Sequence, residues 1–427
     1  MKQFSMLVYR GLRIMSRWFL RILYPGMMVE GVEHVSGKGP FLLAAYHPNT
    51  LIDPLILGIH LPRRLYFMAN AGIFANPAMG QFLRFCGVIP IARRGIDGEA
   101  GRKVDNNKSF EEAYQLFERN GAMFVAPEGG SELERRIRRP LKTGTARMAL
   151  AVEKRNNWQL GMTIIPGAGN YEEPLRCFSR VFVRFGPPIK VADWQTAYEA
   201  SPRQAAKDLT AHLEEKMAEI VIDNKDKAQE RFLRPLDRAL QNDQPMLPDA
   251  HHFRIKRLLA KLKELPVETY GDLEKKANKY QQWLKKEKID DAVLSNHPVK
   301  KGALGLWLGL PLFLYGAINH ALLVWLPEVV WGRLDIYRNY AGTVRGLIGT
   351  ILLPIIYALQ SWIVSLFVGG WYWLYLLTLP VFGLFALAYY TTYYPYWTSY
   401  FNKGKATKEM HELRKELRLA TDELLAD

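Results

Sequence analysis

His47 and Asp53 are the residues of this sequence whose types and spacing best support proton-transfer chemistry. They stand in AAYHPNTLIDP, where a strand-like run ends at the histidine and a short turn leads to the aspartate. A carboxylate about one helical turn beyond a histidine can orient one ring nitrogen while the other accepts a substrate proton. The pair would then be a general base and its orienter. Asn49 and Thr50 in the same turn also read as ordinary helix caps. His and Asp at such a spacing occur by chance, so the reading depends on the rest of the chain.

Three further blocks follow in order. GVIPIARR places Arg93 and Arg94 at the end of a strand, where a guanidinium fork can bind phosphate bidentately. APEGGS, from Ala126 to Ser131, ends another strand with the carboxylate of Glu128 and two glycines, a turn whose backbone amides can approach a ligand closely. PLKTGTARMAL opens a helix after Lys142, and IIPGAGNY ends the next strand. Each block alone is also a plain surface turn. Together they sit after strand ends, where open α/β sheets place their ligands.

The His-to-Asp block, Gly-Val-Ile-Pro-Ile-x-Arg, Pro-Glu-Gly and Ile-Pro, in this order, resemble the glycerolipid acyltransferase family, which includes lysophosphatidate and glycerol-3-phosphate acyltransferases. The resemblance covers about residues 35–195. It implies a membrane-bound O-acyltransferase of the 1-acylglycerol-3-phosphate kind, which moves a fatty acyl group from an acyl thioester to the hydroxyl of a lysophosphatidate-type acceptor in phospholipid synthesis. Glycerol 3-phosphate and other lysolipids are the alternative acceptors. The resemblance makes His47 the general base and Asp53 its partner. It makes Arg93 a phosphate contact, Glu128 and Gly129 an acceptor-binding pair, and Lys142 a further phosphate-side cation. The thioester donor is a co-substrate carried on coenzyme A or acyl carrier protein, and neither cofactor nor metal is expected. One departure stands out. The family's first motif has four residues between His and Asp; here there are five, and position 48, where the usual histidine would fall, is Pro48. A loop can absorb the extra residue.

The elements that must position these residues are legible as short apolar runs, FLLAAY, RLYFMA, VIPIA, AMFVAP, MTIIPGA and RVFVRF, alternating with helical stretches such as SFEEAYQLFERN. That alternation predicts an α/β domain with a mostly parallel sheet flanked by helices. The chain divides into residues 1–34, an amphipathic helix lying in a membrane interface; 35–195, the catalytic domain; 196–301, a charged helical region; 302–402, a membrane-embedded region; and 403–427, a cytosolic tail helix.

In the first segment Arg10, Arg13, Arg17 and Arg21 share one helical face and Trp18 lies among the apolar remainder. An ordinary helix packed on its own domain is the alternative. In the membrane-embedded region residues 302–327 and 346–402 contain no Asp, Glu, Lys or Arg. A crossing needs about 20 helical residues. The second run therefore reads as a hairpin turning at Gly369-Gly370. The first, interrupted by Pro311, Asn319 and His320, reads as a re-entrant or interfacial element, with a simple crossing as runner-up. Basic residues flank every run, which predicts that all flanks, and the catalytic domain, face the cytosol.

Composition narrows the partners. The 427 residues carry 57 Lys and Arg against 42 Asp and Glu, a formal charge of +15, and with the apolar runs this favours membrane lipid and phosphate-bearing substrates over nucleic acid. The only cysteines, Cys86 and Cys177, form no paired motif, which fits a reducing compartment. No G-x-S-x-G elbow, P-loop or H-E-x-x-H occurs, which argues against a serine hydrolase, an NTPase and a zinc hydrolase. A basic membrane scaffold is the non-enzyme alternative, and it leaves the four motifs unexplained.

Overall fold

The structure is a computed structural model that describes all residues except 1, 36, 75, 93–103, 177, 296–301, 334–340, 401–405 and 427. The chain forms two compact units, Met1–Pro174 with Ser179–Asp223, and Leu175–Phe178 with Asn224–Asp427.

The first unit opens with helix α1 (Lys2–Leu23) and strands β1 (Met28–Glu30) and β2 (Phe41–Ala45), followed by α2 (Ile52–Gly58), β3 (Leu65–Asn70), α3 (Pro77–Phe85) and β4 (Val88–Ile91). It continues with α4 (Asn106–Glu118), β5 (Ala122–Val125), α5 (Gly144–Arg155), β6 (Thr163–Tyr171), β7 (Val181–Phe185), β8 (Ile189–Lys190), α6 (Gln195–Ala200) and α7 (Pro202–Ile220). The strands make one sheet in the order β1-β7-β6-β2-β5-β3-β4, with β8 on β6. β2 pairs in parallel with both β5 and β6, β3 with β4 and β5, and β1 with β7; β6 runs antiparallel to β7 and β8.

β2 is central, and all five of its residues are buried, which is why FLLAA is a continuous apolar run rather than an alternating one. Its side chains still divide by the period of two. Leu42 and Ala44 join Met123, Ile164, Met148 and Leu213 on one face, while Leu43 and Ala45 join Phe124, Ile165, Ile56, Leu57 and Leu20 on the other. Core is thus built on both faces, and the loops after β2 and β5 share the carboxyl end of the parallel strands.

Two boundaries differ from those read from the sequence. β1 lies inside the stretch that the sequence assigns to an interfacial helix, and at three residues it is too short to show periodicity. α7, whose outer face is charged, buries Leu209, Leu213 and Met217 in the first unit, which therefore runs to Asp223 rather than to 195. The arginine row of α1 also points differently. Arg13 and Arg17 donate to Ile59 O at 3.1 Å and 2.8 Å, at the carboxyl end of α2, where cations are favoured. Ile14, Met15 and Trp18 are exposed together with Arg10, Arg17 and Arg21.

The second unit contains α8 (Lys227–Asp243), α9 (Pro248–Glu264), α10 (Val267–Glu287), α11 (Asp291–Leu294), α12 (Gly302–Arg333), α13 (Ala341–Val368), α14 (Tyr372–Tyr400) and α15 (Lys408–Ala426). Arg414 of α15 is buried between Asp243 and Asp291, donating to Asp243 Oδ1 at 2.9 Å and Asp291 Oδ1 at 2.9 Å. The chain therefore returns to the same helical bundle after the apolar helices.

Two stretches, Leu304–Arg333 and Ile348–Tyr393, are long and apolar enough to cross a membrane. α12 is one unbroken helix that pairs antiparallel with α14. Trp307 meets Trp397, Phe313 meets Tyr389, and Tyr315 meets Phe382, while Tyr375 donates to Asn319 Oδ1 at 2.5 Å. The start of α14 thus lies beside the carboxyl-terminal part of α12. α13 begins there as well, with Arg345 paired to Glu328 at 2.6 Å. Both ends of α13 therefore lie toward the same end of the α12–α14 pair, an arrangement different from the hairpin of α13 with α14 expected from the apolar runs.

Candidate active site

β2 ends two residues before His47, and α2 begins just before Asp53. Between them the chain makes a tight turn in which Thr50 takes φ 40°, in the left-handed region, and donates its N–H to Ser131 Oγ at 3.3 Å. This turn accommodates the extra residue. His47 Nδ1 lies 3.0 Å from Asp53 Oδ2. The contact assigns the ring proton to Nδ1 and leaves Nε2 as the acceptor. The histidine side chain is 18% exposed and that of Asp53 fully buried, so the pair has one open end.

Asp53 accepts two more hydrogen bonds, from Asn49 N at 2.7 Å and from the Tyr171 hydroxyl at 2.7 Å. Three donors around one buried carboxylate fix its rotamer and, through it, the imidazole plane. Tyr171, at the end of β6, is buried, and burial together with the charge of Asp53 holds its hydroxyl protonated by raising its pKa well above the usual value. Asn49 does not cap α2 with its side chain. Its Nδ2 donates to Pro174 O at 2.8 Å and to Tyr24 Oη at 3.2 Å, which anchors the loop, and Tyr24 in turn lies against Tyr171. The His47 ring meets the edge of Phe124 at 5.8 Å.

Glu128 joins the same centre from the loop after β5. Its Oε2 accepts the backbone N–H of His47 at 2.8 Å and its Oε1 that of Arg138 at 2.8 Å. It is 5% exposed, and burial pushes its carboxyl up to about 7, against the lowering effect of those two backbone donors. With both oxygens engaged by main chain, Glu128 holds the loop of the base rather than facing an acceptor, as the resemblance had implied. Gly129 has φ 68°, and a side chain there would meet Lys142 Cγ at 3.2 Å. Its own N–H donates to Ala126 O at 3.1 Å.

The segment from Glu132 to Lys142 carries five cations, and most are tied to acids. Arg136 pairs with Glu134 at 2.6 Å, Arg139 with Asp223 at 2.6 Å and Glu214 at 2.7 Å, and Arg138 with Glu132 at 3.5 Å. Lys142 is exposed and makes no ion pair among the described residues. It lies along Gly129, so a cation stands beside the His47 centre available to an anionic ligand. Arg93, the other expected phosphate contact, lies outside the described residues.

Of the residues read from sequence, the structure brings His47, Asp53, Glu128, Gly129 and Lys142 together. Sequence reading missed Tyr171, Asn49 and Arg138. Only Tyr171 had a signal, as the polar residue closing the strand of the IIPGAGNY block. Among the described residues no group of His, Cys, Asp and Glu is arranged to hold a metal ion.

Comparisons with known proteins bear on the domain that carries this centre. Residues 26–168 match the family model described as Acyltransferase. An uncharacterized acyltransferase of Schizosaccharomyces pombe is 23% identical over 276 residues, which cover 44% of this chain and 41% of that protein. Glycerol-3-phosphate O-acyltransferase 1 of Saccharomyces cerevisiae is 33% identical over 110 residues, 25% of this chain and 14% of the relative. The chain thus spans less than half the length of these curated relatives. A crystal structure of the 1-acyl-sn-glycerophosphate acyltransferase from Thermotoga maritima aligns over 51% of this chain and 82% of that one, at 15% identity and a TM-score of 0.37. Residues 26–168, which hold His47, Asp53, Glu128, Gly129 and Lys142, are thus the part of the chain that matches an acyltransferase domain.

Proposed function

We propose that this protein transfers a fatty acyl group from an acyl thioester to the hydroxyl of a phosphate-bearing, lysophosphatidate-type acceptor at a membrane. The observation that carries the reading is the His47 Nδ1 to Asp53 contact at 3.0 Å with Nε2 left open. In the reaction, Nε2 takes the proton of the acceptor hydroxyl as its oxygen attacks the thioester carbonyl. A new C–O bond forms, the C–S bond breaks, and the imidazolium returns the proton to the departing thiolate. The developing oxyanion needs a preorganised donor. The Gly129 amide is already engaged, so that role passes to the Gly130 amide, which has no partner among the described residues.

Lys142 is the acceptor-phosphate cation in this reading, with Arg93 as a second. Glycerol 3-phosphate is the alternative acceptor, favoured by the similarity to the Saccharomyces cerevisiae glycerol-3-phosphate O-acyltransferase at 33% identity. The two apolar stretches and the exposed apolar residues of α1 support a membrane location, and the net charge of +15 supports a cytosolic, anionic surface for the catalytic domain. The test is an assay of the purified full chain with labelled acyl donors against lysophosphatidate, glycerol 3-phosphate and neutral lysolipids. Transfer to a phosphomonoester acceptor supports the reading. Thioester hydrolysis with no acylated acceptor would overturn it.

A further inference from the structure

A groove of about 1010 Å³ opens between the first turns of α4 and α5 and the α6–α7 corner. Phe110, Tyr114 and Tyr198 supply aromatic walls, and Arg147, Arg203 and Lys207 supply charge. No Asp or Glu lines it, and none of the three cations makes an ion pair with a described residue. Asn107, in the first turn of α4, and Thr143 and Gly144, at the start of α5, also line it. The reaction centre described above uses none of these residues.

The combination is selective about what fits. Several unneutralised cations favour more than one phosphate. Aromatic walls favour a flat base, because rings stack on rings and guanidinium groups lie over them. The acidic surface of a carrier protein would be met by an exposed basic patch and has no use for a concave aromatic cleft. A lipid phosphate needs no ring at all. Thr143 and Gly144, which also line the groove, follow directly on Lys142, whose side chain lies along Gly129 beside the base. A ligand seated here can therefore extend an arm to His47.

We propose that this groove binds an adenosine nucleotide bearing more than one phosphate, the end of a coenzyme A thioester that lies far from its sulfur. The inference rests on the acyl-transfer reading, and it commits the donor to coenzyme A. Arg203 and Lys207 lie on the exposed face of α7, so the double variant Arg203→Glu with Lys207→Glu leaves the core intact.

Two measurements on the full chain in detergent test it: calorimetric titration with adenosine 3′,5′-bisphosphate, and the KM of two donors, an acyl coenzyme A and an acyl phosphopantetheine that lacks the nucleotide. The expected result is nucleotide binding that the double variant weakens about tenfold or more, about 1.4 kcal/mol, with a matching rise in KM for acyl coenzyme A alone. Unchanged nucleotide binding in the variant would overturn the proposal, as would a KM that rises equally for both donors. A further arm uses an acyl carrier protein as donor, and a KM effect confined to that donor would also overturn the proposal and give the groove to an acidic protein. If no thioester supports transfer while the nucleotide still binds and the variant abolishes it, the groove stands and the acyl-transfer reading falls.

Discussion

Glu128 Oε2 accepts the backbone N–H of His47 at 2.8 Å while its Oε1 accepts that of Arg138 at 2.8 Å, so one buried carboxylate ties the loop of the base to the segment leading to Lys142. Both partners are donors, and only a group with two acceptors satisfies both. Glu128→Gln keeps the shape but turns an amide NH₂ toward one backbone N–H. The expected loss is about 1–3 kcal/mol of stability, with kcat falling and acceptor KM little changed, because Glu128 positions the base without touching substrate. Steady-state kinetics beside thermal unfolding check this. A KM effect without a kcat effect would return Glu128 to the acceptor site.

The same burial gives a pH signature. In the folded protein the Glu128 carboxyl keeps its proton up to about 7, whereas its ordinary value is 4.5. Between these values the native state binds more protons than the unfolded chain, so stability falls as pH rises. The contribution is fully present below about 4.5 and lost on passing 7. Unfolding measured from pH 4.5 to 8 should show this decline in the wild type and a flatter profile, by comparison, in Glu128→Gln. Parallel profiles would remove Glu128 as the cause.

Tyr171→Phe removes one of the three donors to Asp53 and nothing else from the shape of the core. With the carboxylate less firmly held, the imidazole is less well aimed, and kcat should drop about tenfold, since a misplaced group about 1 Å out can cost more than that. Substrate KM should stay within about twofold. A variant with normal kcat would show that His47 and Asn49 alone fix Asp53.

Much of this centre was legible because His47 and Asp53 stand within one short stretch, and because Glu128, Gly129 and Lys142 follow the next strand of the same sheet. Tyr171 is 118 residues from Asp53 along the chain. Its approach depends on β6 lying beside β2, a pairing that apolar runs announce only as two strands. The role of Glu128 was hidden for another reason: its partners are backbone amides, which leave no mark in a sequence. Periodicity showed that the arginines of α1 share a face but not that Arg13 and Arg17 turn inward onto Ile59. In α12, α13 and α14 apolar residues occur all round, so no stripe indicates which helix meets which.

Lys142 is the cation beside the centre, and its removal should raise acceptor KM about tenfold, as for loss of a charge-assisted hydrogen bond. Lys142→Arg should retain most of the affinity. If Arg93 shares the phosphate, Arg93→Lys, which keeps charge but removes the fork, raises the same KM. A rise in donor KM with acceptor KM unchanged would move either cation to the other substrate.

Pairing of α12 with α14 gives a membrane topology that cysteine labelling can read. In that topology α12 and α14 would be the crossings, and α13 would begin and end on the side away from the helical bundle. In the sequence, residues 296–301 and 401–408 hold five lysines and residues 333–345 three arginines, so the more basic flanks fit the cytosolic side in this topology. Single cysteines at Gly332 and Gly370, where a side chain meets nothing within 4 Å, should label from the same face of sealed vesicles, and one at Thr407 from the opposite face. Opposite labelling of 332 and 370 would restore the hairpin of α13 with α14.

The central claim is that His47 is the general base, and His47→Ala tests it most directly. The measurement is single-turnover acyl transfer to a phosphomonoester acceptor by a variant whose unfolding temperature and detergent behaviour match the wild type. Loss of a general base lowers the rate by about 10² to 10⁴, and the account requires a fall of that size with nucleotide binding in the α4–α5 groove unchanged. Near-normal transfer by His47→Ala would contradict it.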